Sequence, residues 1–419
     1  ISVPNFLNLT TVNASMNVKN KSAILISWPR ELDMFSVFIE KILDDVIIIV
    51  DDLVYADEER TENGKSIIEL LGKTVEYVLL SEILGKTKYR VLFSTGGQTF
   101  YKKITYASYL KYLYAISIGS FIEYSKLSKF FLKIINRPLT GGGKHMEKIG
   151  RYSVERLIGD TVVKYPKGLD LNKDNYPEDK WKSIFDIYLC HSDIDYGLIT
   201  NKFSEAKCIK IGYPRYDNAP NIKDAKKIIY SEIKGIKSES PLILWMPTII
   251  RVEGELIDNI VIWTNIIKNL LVKYNVLISI HPKLAIVNPG IIIYLLDMGF
   301  LVDATKGRDL SILYQSSDLV LADYGGPVLS AVYMKKRLIL LNSPNNKYIQ
   351  WREDRAYIDD DIRSDVETFN INEGVSLIEQ VDRDIQDSNN FKKNELKEKY
   401  FGKKCDYKHL KETFYELVK

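Results

Sequence analysis

The feature that most constrains this chain is a rhythm. Short runs of β-branched and aliphatic residues alternate with helix-length amphipathic stretches, and they do so in both halves. In the first half SAILISWP ends in a turn and is followed by ELDMFSVFIEKIL, then DVIIIVDD, GKSIIELLGKT, VEYVLL and KYRVLFSTGGQ. In the second, PLILWMPT precedes the long stretch LIDNIVIWTNIIKNLLVKY, after which come NVLISIHP, IIIYLLDMG, FLVDA, LSILYQSS, DLVLADYGG, PVLSAVYMKK and RLILLN. A strand-length apolar run with no polar alternation needs cover on both faces. The rhythm therefore predicts βαβ units and parallel sheets.

At 419 residues the chain exceeds what one hydrophobic core serves. The polar stretch NAPNIKDAKKIIYSEIKGIKSES, between Asp217 and Pro241, marks the break. The expected organisation is α/β with two Rossmann-like, doubly wound domains: residues 1–220, a linker at 221–240, and 241–419, whose tail after Asp359 is mostly charged helix. In such sheets ligands bind beyond the carboxyl ends of the strands, so the strand-end loops should carry the chemistry.

Bulk properties exclude several classes. Lys and Arg number 58 against 55 acidic residues, a balance of +3, which is not the field of a dedicated nucleic-acid binder. Cys190, Cys208 and Cys405 have no CxxC spacing and are odd in number, so a disulfide framework is not expected and a reducing cytoplasm fits. No apolar run reaches the roughly 18 residues of a membrane span. The opening ISVPNFLNLTTVNAS lacks the basic start and apolar run of a signal peptide. The expectation is a cytoplasmic protein, at most peripheral to the inner face of a membrane.

Five stretches hold candidate chemistry. In Asp323-Tyr324-Gly325-Gly326-Pro327 the glycines let backbone approach an anion, and a helix opening at Pro327 offers its dipole. Ser330 lies one turn on, and the same residues read equally as a tight, ligand-free turn. In Ser279-Ile280-His281-Pro282-Lys283 a histidine and a lysine end a buried strand, placed to meet a phosphate or to satisfy loop carbonyls. In LILWMPTIIR, Thr248 and Arg251 follow a strand, either as phosphate readers or as ordinary turn residues. In KCIKIGYPRYDNAP, Arg215 and Asp217 form a hinge pair, or else Asp217 is a cleft carboxylate able to act as base or nucleophile. TGGGKHMEKIGR sets His145 and Glu147 behind three glycines without the Walker spacing, as a functional lid or a surface loop.

Taken in order, GGGKHMEKIG, FDIYLCHS, IGYPRYD, ILWMPT, ISIHP and DLVLADYGG with its apolar helix resemble one family in sequence and spacing. It is the CDP-glycerol glycerophosphotransferase-like family, which builds teichoic acids and related capsule polymers, and the resemblance runs from Gly141 to Asn342. Two departures stand out. The family's His-Gly-x-Pro-Leu-Lys reads Lys-His-Met-Glu-Lys here, and its Asp-Tyr-Ser-Ser reads Asp-Tyr-Gly-Gly. The His-Pro pair with a small-residue loop also resembles GT-B enzymes that use CMP-Kdo or CMP-sialic acid.

These resemblances share one implication: a GT-B transferase with a cytidine-activated donor, either CDP-glycerol or a CMP-ulosonic acid, on its C-terminal domain. The implied donor contacts are Thr248, Arg251, His281, Lys283, Asp323, Gly325, Gly326 and Ser330. Asp217, His145 or Glu147 would act on the acceptor hydroxyl, with His281 at the leaving group and Arg215 at the hinge. No cofactor and no metal are expected, because no Asp-x-Asp pair ends a strand and Asp359-Asp360-Asp361 reads as a tail loop. The acceptor would be a glycan or lipid-linked molecule. Residues 102–137, with seven Lys or Arg and the single acid Glu123 among many aromatics, are either a core helix pair or a face for an anionic membrane. The competing readings are a UDP-sugar GT-B transferase, a sugar-nucleotide epimerase, or a non-catalytic subunit of a polysaccharide assembly complex.

Overall fold

The computed structural model describes residues 22–27, 31, 34–35, 38–39, 46–51, 77–84, 86–96, 153–168, 176–217, 219–248, 250–252, 255–257, 259–281, 284, 288–305, 308–354, 356–386, 393–402 and 406–418. His145, Glu147, Lys283 and the basic segment 102–137 lie outside these residues.

The first half forms β1 (Ser22–Ile26), β2 (Val46–Val50), β3 (Tyr77–Leu79), β4 (Tyr89–Ser94), β5 (Gly159–Lys164), β6 (Ile187–Cys190) and β7 (Lys207–Lys210). All seven run parallel in the order β3-β2-β1-β4-β5-β6-β7. The second half forms β8 (Leu242–Met246), a hairpin of β9 (Ile250–Val252) and β10 (Glu255–Ile257), then β11 (Asn275–Ser279), β12 (Leu301–Asp303), β13 (Leu319–Ala322), β14 (Leu338–Leu341) and β15 (Thr368–Phe369). Its parallel sheet has the order β12-β11-β8-β13-β14-β15.

Burial explains the missing alternation in the sequence. Along β8 every residue is buried, but successive side chains enter different cores. Leu242, Leu244 and Met246 join one cluster, while Ile243 and Trp245 join the cluster on the opposite face. β1 does the same with Ala23 and Leu25 against Ile24 and Ile26. Each sheet is thus a middle layer between two apolar seams, as the rhythm predicted. Each also has a switch point where the winding reverses, between β1 and β4 in the first half and between β8 and β13 in the second.

The helices that matter for the site are α1 (Asp193–Lys202), α2 (Pro214–Asp217), α3 (Ile222–Glu232), α4 (Gly326–Tyr333), α5 (Ile358–Arg363) and α6 (Tyr407–Val418). Two of them revise the boundaries drawn from sequence. The stretch expected as a linker is mostly α3, started by the Asn221 side chain accepting from the Asp224 amide at 3.0 Å. Ala225 and Ile229 of α3 are buried, Ile229 in the second half's core, and Lys226 pairs with Asp318 at 2.9 Å. Its polar residues cover an outer face, which is why composition suggested a connector.

α6, assigned with the second half, packs on the first. Leu410 and Phe414 enter the core of the seven-stranded sheet, where the Phe414 ring meets Phe38 at 5.5 Å and Phe93 at 5.8 Å between centroids. Its apolar stripe is as marked as that of a helix covering its own sheet, so sequence alone did not show which sheet it serves. Among the described residues no helix is long and apolar enough to cross a membrane.

If α6 completes the first half's core, Phe414→Ala should cost about 3–5 kcal/mol, as for a buried phenylalanine cut to alanine. Chemical denaturation monitored by tryptophan fluorescence checks this. A loss below about 1 kcal/mol, the scale of an exposed site, would mean that α6 only rests on the surface.

Candidate functional site

The loops that leave β8 and β13 meet at the switch point of the second sheet, and a buried carboxylate ties them together. Asp323, directly after β13, accepts hydrogen bonds from the Thr248 amide at 2.8 Å, the Tyr324 amide at 2.8 Å and the Asn259 side chain at 3.2 Å. Thr248 closes the loop pair by donating its hydroxyl to the Tyr324 carbonyl at 3.3 Å. Burial raises the Asp323 carboxyl from its ordinary range to about 6, against the pull of these donors. Asp323 therefore organises the turn with its side chain directed into the protein.

Behind the turn sits a charged frame that the sequence reading did not find. Asp359, Asp360 and Asp361 form the first turn of α5, not a tail loop. The Asp359 carboxylate, wholly buried, accepts the Gly325 amide at 2.8 Å and the Arg352 guanidinium at 2.7 Å. Arg352 also reaches Asp360 at 2.9 Å. Two guanidinium groups lie over the Tyr324 ring, Arg352 at 4.6 Å and Arg363 at 3.9 Å from its centre, and the Tyr324 hydroxyl accepts the Ser343 amide at 2.9 Å. Arg363 in turn donates to the Asp323 carbonyl. The acidic run of YIDDDIR, flanked by Arg352 and Arg363, was the available signal. What it lacked was a reason to bring it under the glycines.

The two glycines play different parts. Gly325 has φ 74° and ψ −146°, a conformation essentially confined to glycine. Its amide is engaged by Asp359, so the expected cradle of bare amides is narrower than two residues. Gly326 begins α4, where a helix N–H has no partner within the helix, and a side chain at this position would meet open space. Pro327 contributes no N–H. The outward-facing part of the turn is therefore Gly326 and the positive end of α4.

Ser330 faces the protein interior, where its oxygen accepts the Tyr216 hydroxyl at 3.0 Å. His281 follows β11 at the same edge of the sheet, half-buried, with its carbonyl accepting the Leu284 amide at 2.8 Å. Arg251 lies in β9, and its backbone pairs with Leu256. The second half thus gathers Thr248, His281, Asp323, Gly325 and Gly326 along one sheet edge, while Ser330 belongs to the seam between the halves.

Asp217 belongs to that seam too. Its two carboxylate oxygens accept the Tyr333 hydroxyl at 3.0 Å and the Tyr407 hydroxyl at 2.6 Å. Tyr333 also takes the Tyr213 amide at 2.8 Å. Asp217 therefore joins α2, α4 and α6, a tyrosine-bound tie in place of a pair with Arg215. Arg215 lies near the Tyr213 hydroxyl, which burial pushes up in pKa.

The first sheet has a matching tie at its own switch point. Glu31 accepts the Ser27 amide at 2.6 Å and the Thr95 hydroxyl, bridging the loops after β1 and β4. Beside it Lys164, buried, donates to the Tyr165 carbonyl at 2.9 Å and lies 4.3 Å from the Trp181 ring centre. Burial lowers the Lys164 ammonium to about 7. Among the described residues no three His, Cys, Asp or Glu side chains gather as metal ligands.

The model of the CDP-glycerol:poly(glycerophosphate) glycerophosphotransferase family matches residues 169–403, more than half of the chain. Among solved structures, the wall teichoic acid polymerase TagF, soaked with CDPG, superposes with a TM-score of 0.57 at 13% identity, covering 96% of this chain and 90% of that one. The UDP-GlcNAc 2-epimerase from Methanocaldococcus jannaschii, in complex with UDP-GlcNAc and UDP, gives 0.51 at 16% identity, covering 95% of this chain and 99% of that one. A further UDP-N-acetylglucosamine 2-epimerase gives 0.52 at 12% identity, with 96% of both chains covered. These likenesses show the GT-B fold. No curated protein sequence matches the chain.

The glycine geometry predicts an asymmetry. Gly325→Ser should cost about 1–3 kcal/mol of stability through its forced backbone, while Gly326→Ser should stay within about 0.5 kcal/mol; equal losses in thermal denaturation would contradict the assignment. The Asp323 tie predicts a pH effect. Its carboxyl holds a proton in the folded chain that the unfolded chain has released, so its stabilising contribution is full below about pH 4 and is lost as pH rises through about 6. Between those limits the wild type should lose on the order of 2–3 kcal/mol relative to Asp323→Asn, a difference readable from denaturation series across that range.

Proposed function

Because the chain belongs to the CDP-glycerol:poly(glycerophosphate) glycerophosphotransferase family, we propose that it is a GT-B transferase that moves a group from a cytidine-activated donor onto a hydroxyl of a surface polysaccharide or lipid-linked acceptor. The observation that carries this reading is the extent of the family match. It runs from before β6 to beyond α5 and takes in every strand-end loop of the second sheet.

In this reading the donor's phosphates lie at the switch point, against Gly326 and the positive end of α4, with Thr248 and Gly325 shaping the turn. His281 stands at the next strand end and, with Lys283 and Arg251, meets the negative charge that grows on the leaving group. Fixed donors aimed at developing charge commonly supply the largest part of a rate enhancement. For a CDP-linked polyol and for a CMP-linked ulosonic acid the leaving group is the same. The acceptor oxygen forms the new bond, its proton is released, and CMP departs with the electrons of the broken bond. The proposal needs no metal ion and gives the acceptor side to the first half, including the basic, aromatic stretch 102–137.

The test is a thermal-shift screen with CMP, CDP, UDP and GDP, followed by assay of CMP release from CDP-glycerol and CMP-Kdo. A nucleotide at 100 times its Kd stabilises by about 2.7 kcal/mol, which for a chain of this size is a shift of a few degrees. Cytidine-selective stabilisation with CMP release is expected. A uridine preference would replace the donor class with that of the epimerase-like folds, and no response to any nucleotide would overturn the proposal.

A further inference from the structure

A loop that holds a phosphate does so with N–H groups left free for it. The turn after β13 keeps almost none. The Asp323 carboxylate takes the Thr248 and Tyr324 amides, each at 2.8 Å. The Asp359 carboxylate takes the Gly325 amide at 2.8 Å. The Thr248 hydroxyl is given to the Tyr324 carbonyl at 3.3 Å, and Pro327 has no N–H. Ser330, the next hydroxyl along α4, is taken up with Tyr216 at 3.0 Å. The arginines of the frame are turned inward as well. Arg352 reaches Asp359 at 2.7 Å and Asp360 at 2.9 Å, and Arg363 reaches the Asn342 side chain at 2.7 Å and the Asp323 carbonyl.

Among the described residues of the turn, one main-chain donor remains. It is the Gly326 N–H at the head of α4, which no acceptor of the turn claims and beside which a side chain would meet open space. The bond to Asp359 is firmly kept. Gly325, at φ 74° and ψ −146°, holds its amide toward a wholly buried carboxylate that Arg352 fixes in turn. Swinging that amide outward would leave Asp359 short of a donor, and a buried polar group left unsatisfied costs more than the bond is worth.

Two phosphates make a different demand from one. In a diphosphate-linked donor, transfer occurs at the outer phosphorus, whose oxygens need donors of their own while the inner phosphate leaves. In a donor linked through one phosphate, transfer occurs at carbon. The acceptor oxygen bonds to that carbon and the carbon–oxygen bond to the phosphate breaks. The nucleoside monophosphate leaves with the electron pair, and the acceptor's proton passes to water. Only the leaving phosphate then has to be held, and a single amide on the positive end of a helix suits it.

We propose that this turn holds one phosphate, at the Gly326 amide, and so selects a donor whose transferred group is joined to the nucleotide by a single phosphate, a CMP-linked group in preference to a CDP-linked one. Asp323 and Asp359 set this selectivity by occupying the amides that a second phosphate would use. The inference rests on the cytidine-donor reading above and names which of its two donor classes the turn fits.

The test is calorimetric titration of the wild-type chain with CMP and with CDP. A hydrogen bond to a charged group is worth roughly tenfold or more in affinity, so a second phosphate with donors of its own would make CDP far the tighter ligand. The expected Kd values lie within about fivefold of each other. A larger preference for CDP would overturn the inference and leave the cytidine reading standing. Binding of neither nucleotide would remove that reading, and this inference with it.

Gly326→Pro locates the contact. Proline is favoured at the first position of a helix and lacks the N–H. The Tm of the free variant should therefore stay close to wild type while the Kd for CMP rises about tenfold. A CMP affinity within about twofold of wild type would put the phosphate elsewhere and sink the assignment.

Discussion

Both sheets depend on the same device, a buried carboxylate that ties the two loops where the winding reverses. At a switch point adjacent strands send their chains to opposite faces, so their loops diverge and a crevice opens. Nothing in the strand ladders dictates how those loops end. Asp323 sets this in the second half by taking the amides of Thr248 and Tyr324 on one side chain. Glu31 does it in the first by joining Ser27 and Thr95. A carboxylate suits the task because it offers several lone pairs at one point, so it can satisfy amides from two segments that no backbone ladder would pair.

The frame under the glycine turn extends the same logic. Gly325 needs a conformation that costs other residues, and Asp359 rewards it by accepting its amide. Asp359 is itself held by Arg352, and Arg352 and Arg363 lie over the ring of Tyr324. The charges of this frame are mutually compensated, so it supplies shape to the turn. Net positive charge for an anionic donor has to come from the helix dipole and from side chains on the neighbouring loops. Where relatives of the family carry two serines, this chain carries one strained glycine and one glycine open to solvent. The first preserves a backbone path and the second leaves room.

How much of this was legible in the sequence follows from what each residue's role depends on. β8, β13 and β14 were readable because burial on both faces removes polar residues from a short run, a local signature of a global layer. The sites at Thr248, His281 and Asp323 were readable as positions because strand ends are where such sheets open. Their partners were not. Asp359 lies 34 residues from Gly325, and only the tertiary path of α5 brings them together. Ser330 looked like a ligand hydroxyl at helical spacing, yet its neighbour is Tyr216. Asp217 looked like a partner for Arg215, but two tyrosine hydroxyls from distant helices claim it. The β9–β10 hairpin was hidden because three-residue strands carry too little periodicity to be seen.

The return of α6 to the first sheet has a consequence for how the molecule is made. Leu410 and Phe414 fill a core whose strands begin at Ser22, so that layer stays unfinished until the chain has been made through α6. Domains usually fold as they emerge, from the N-terminal side. Here the seven-stranded sheet must wait for α6 while the second half forms around α3 and its own sheet. Closure then joins segments nearly four hundred residues apart, a contact of high sequence separation and correspondingly slow.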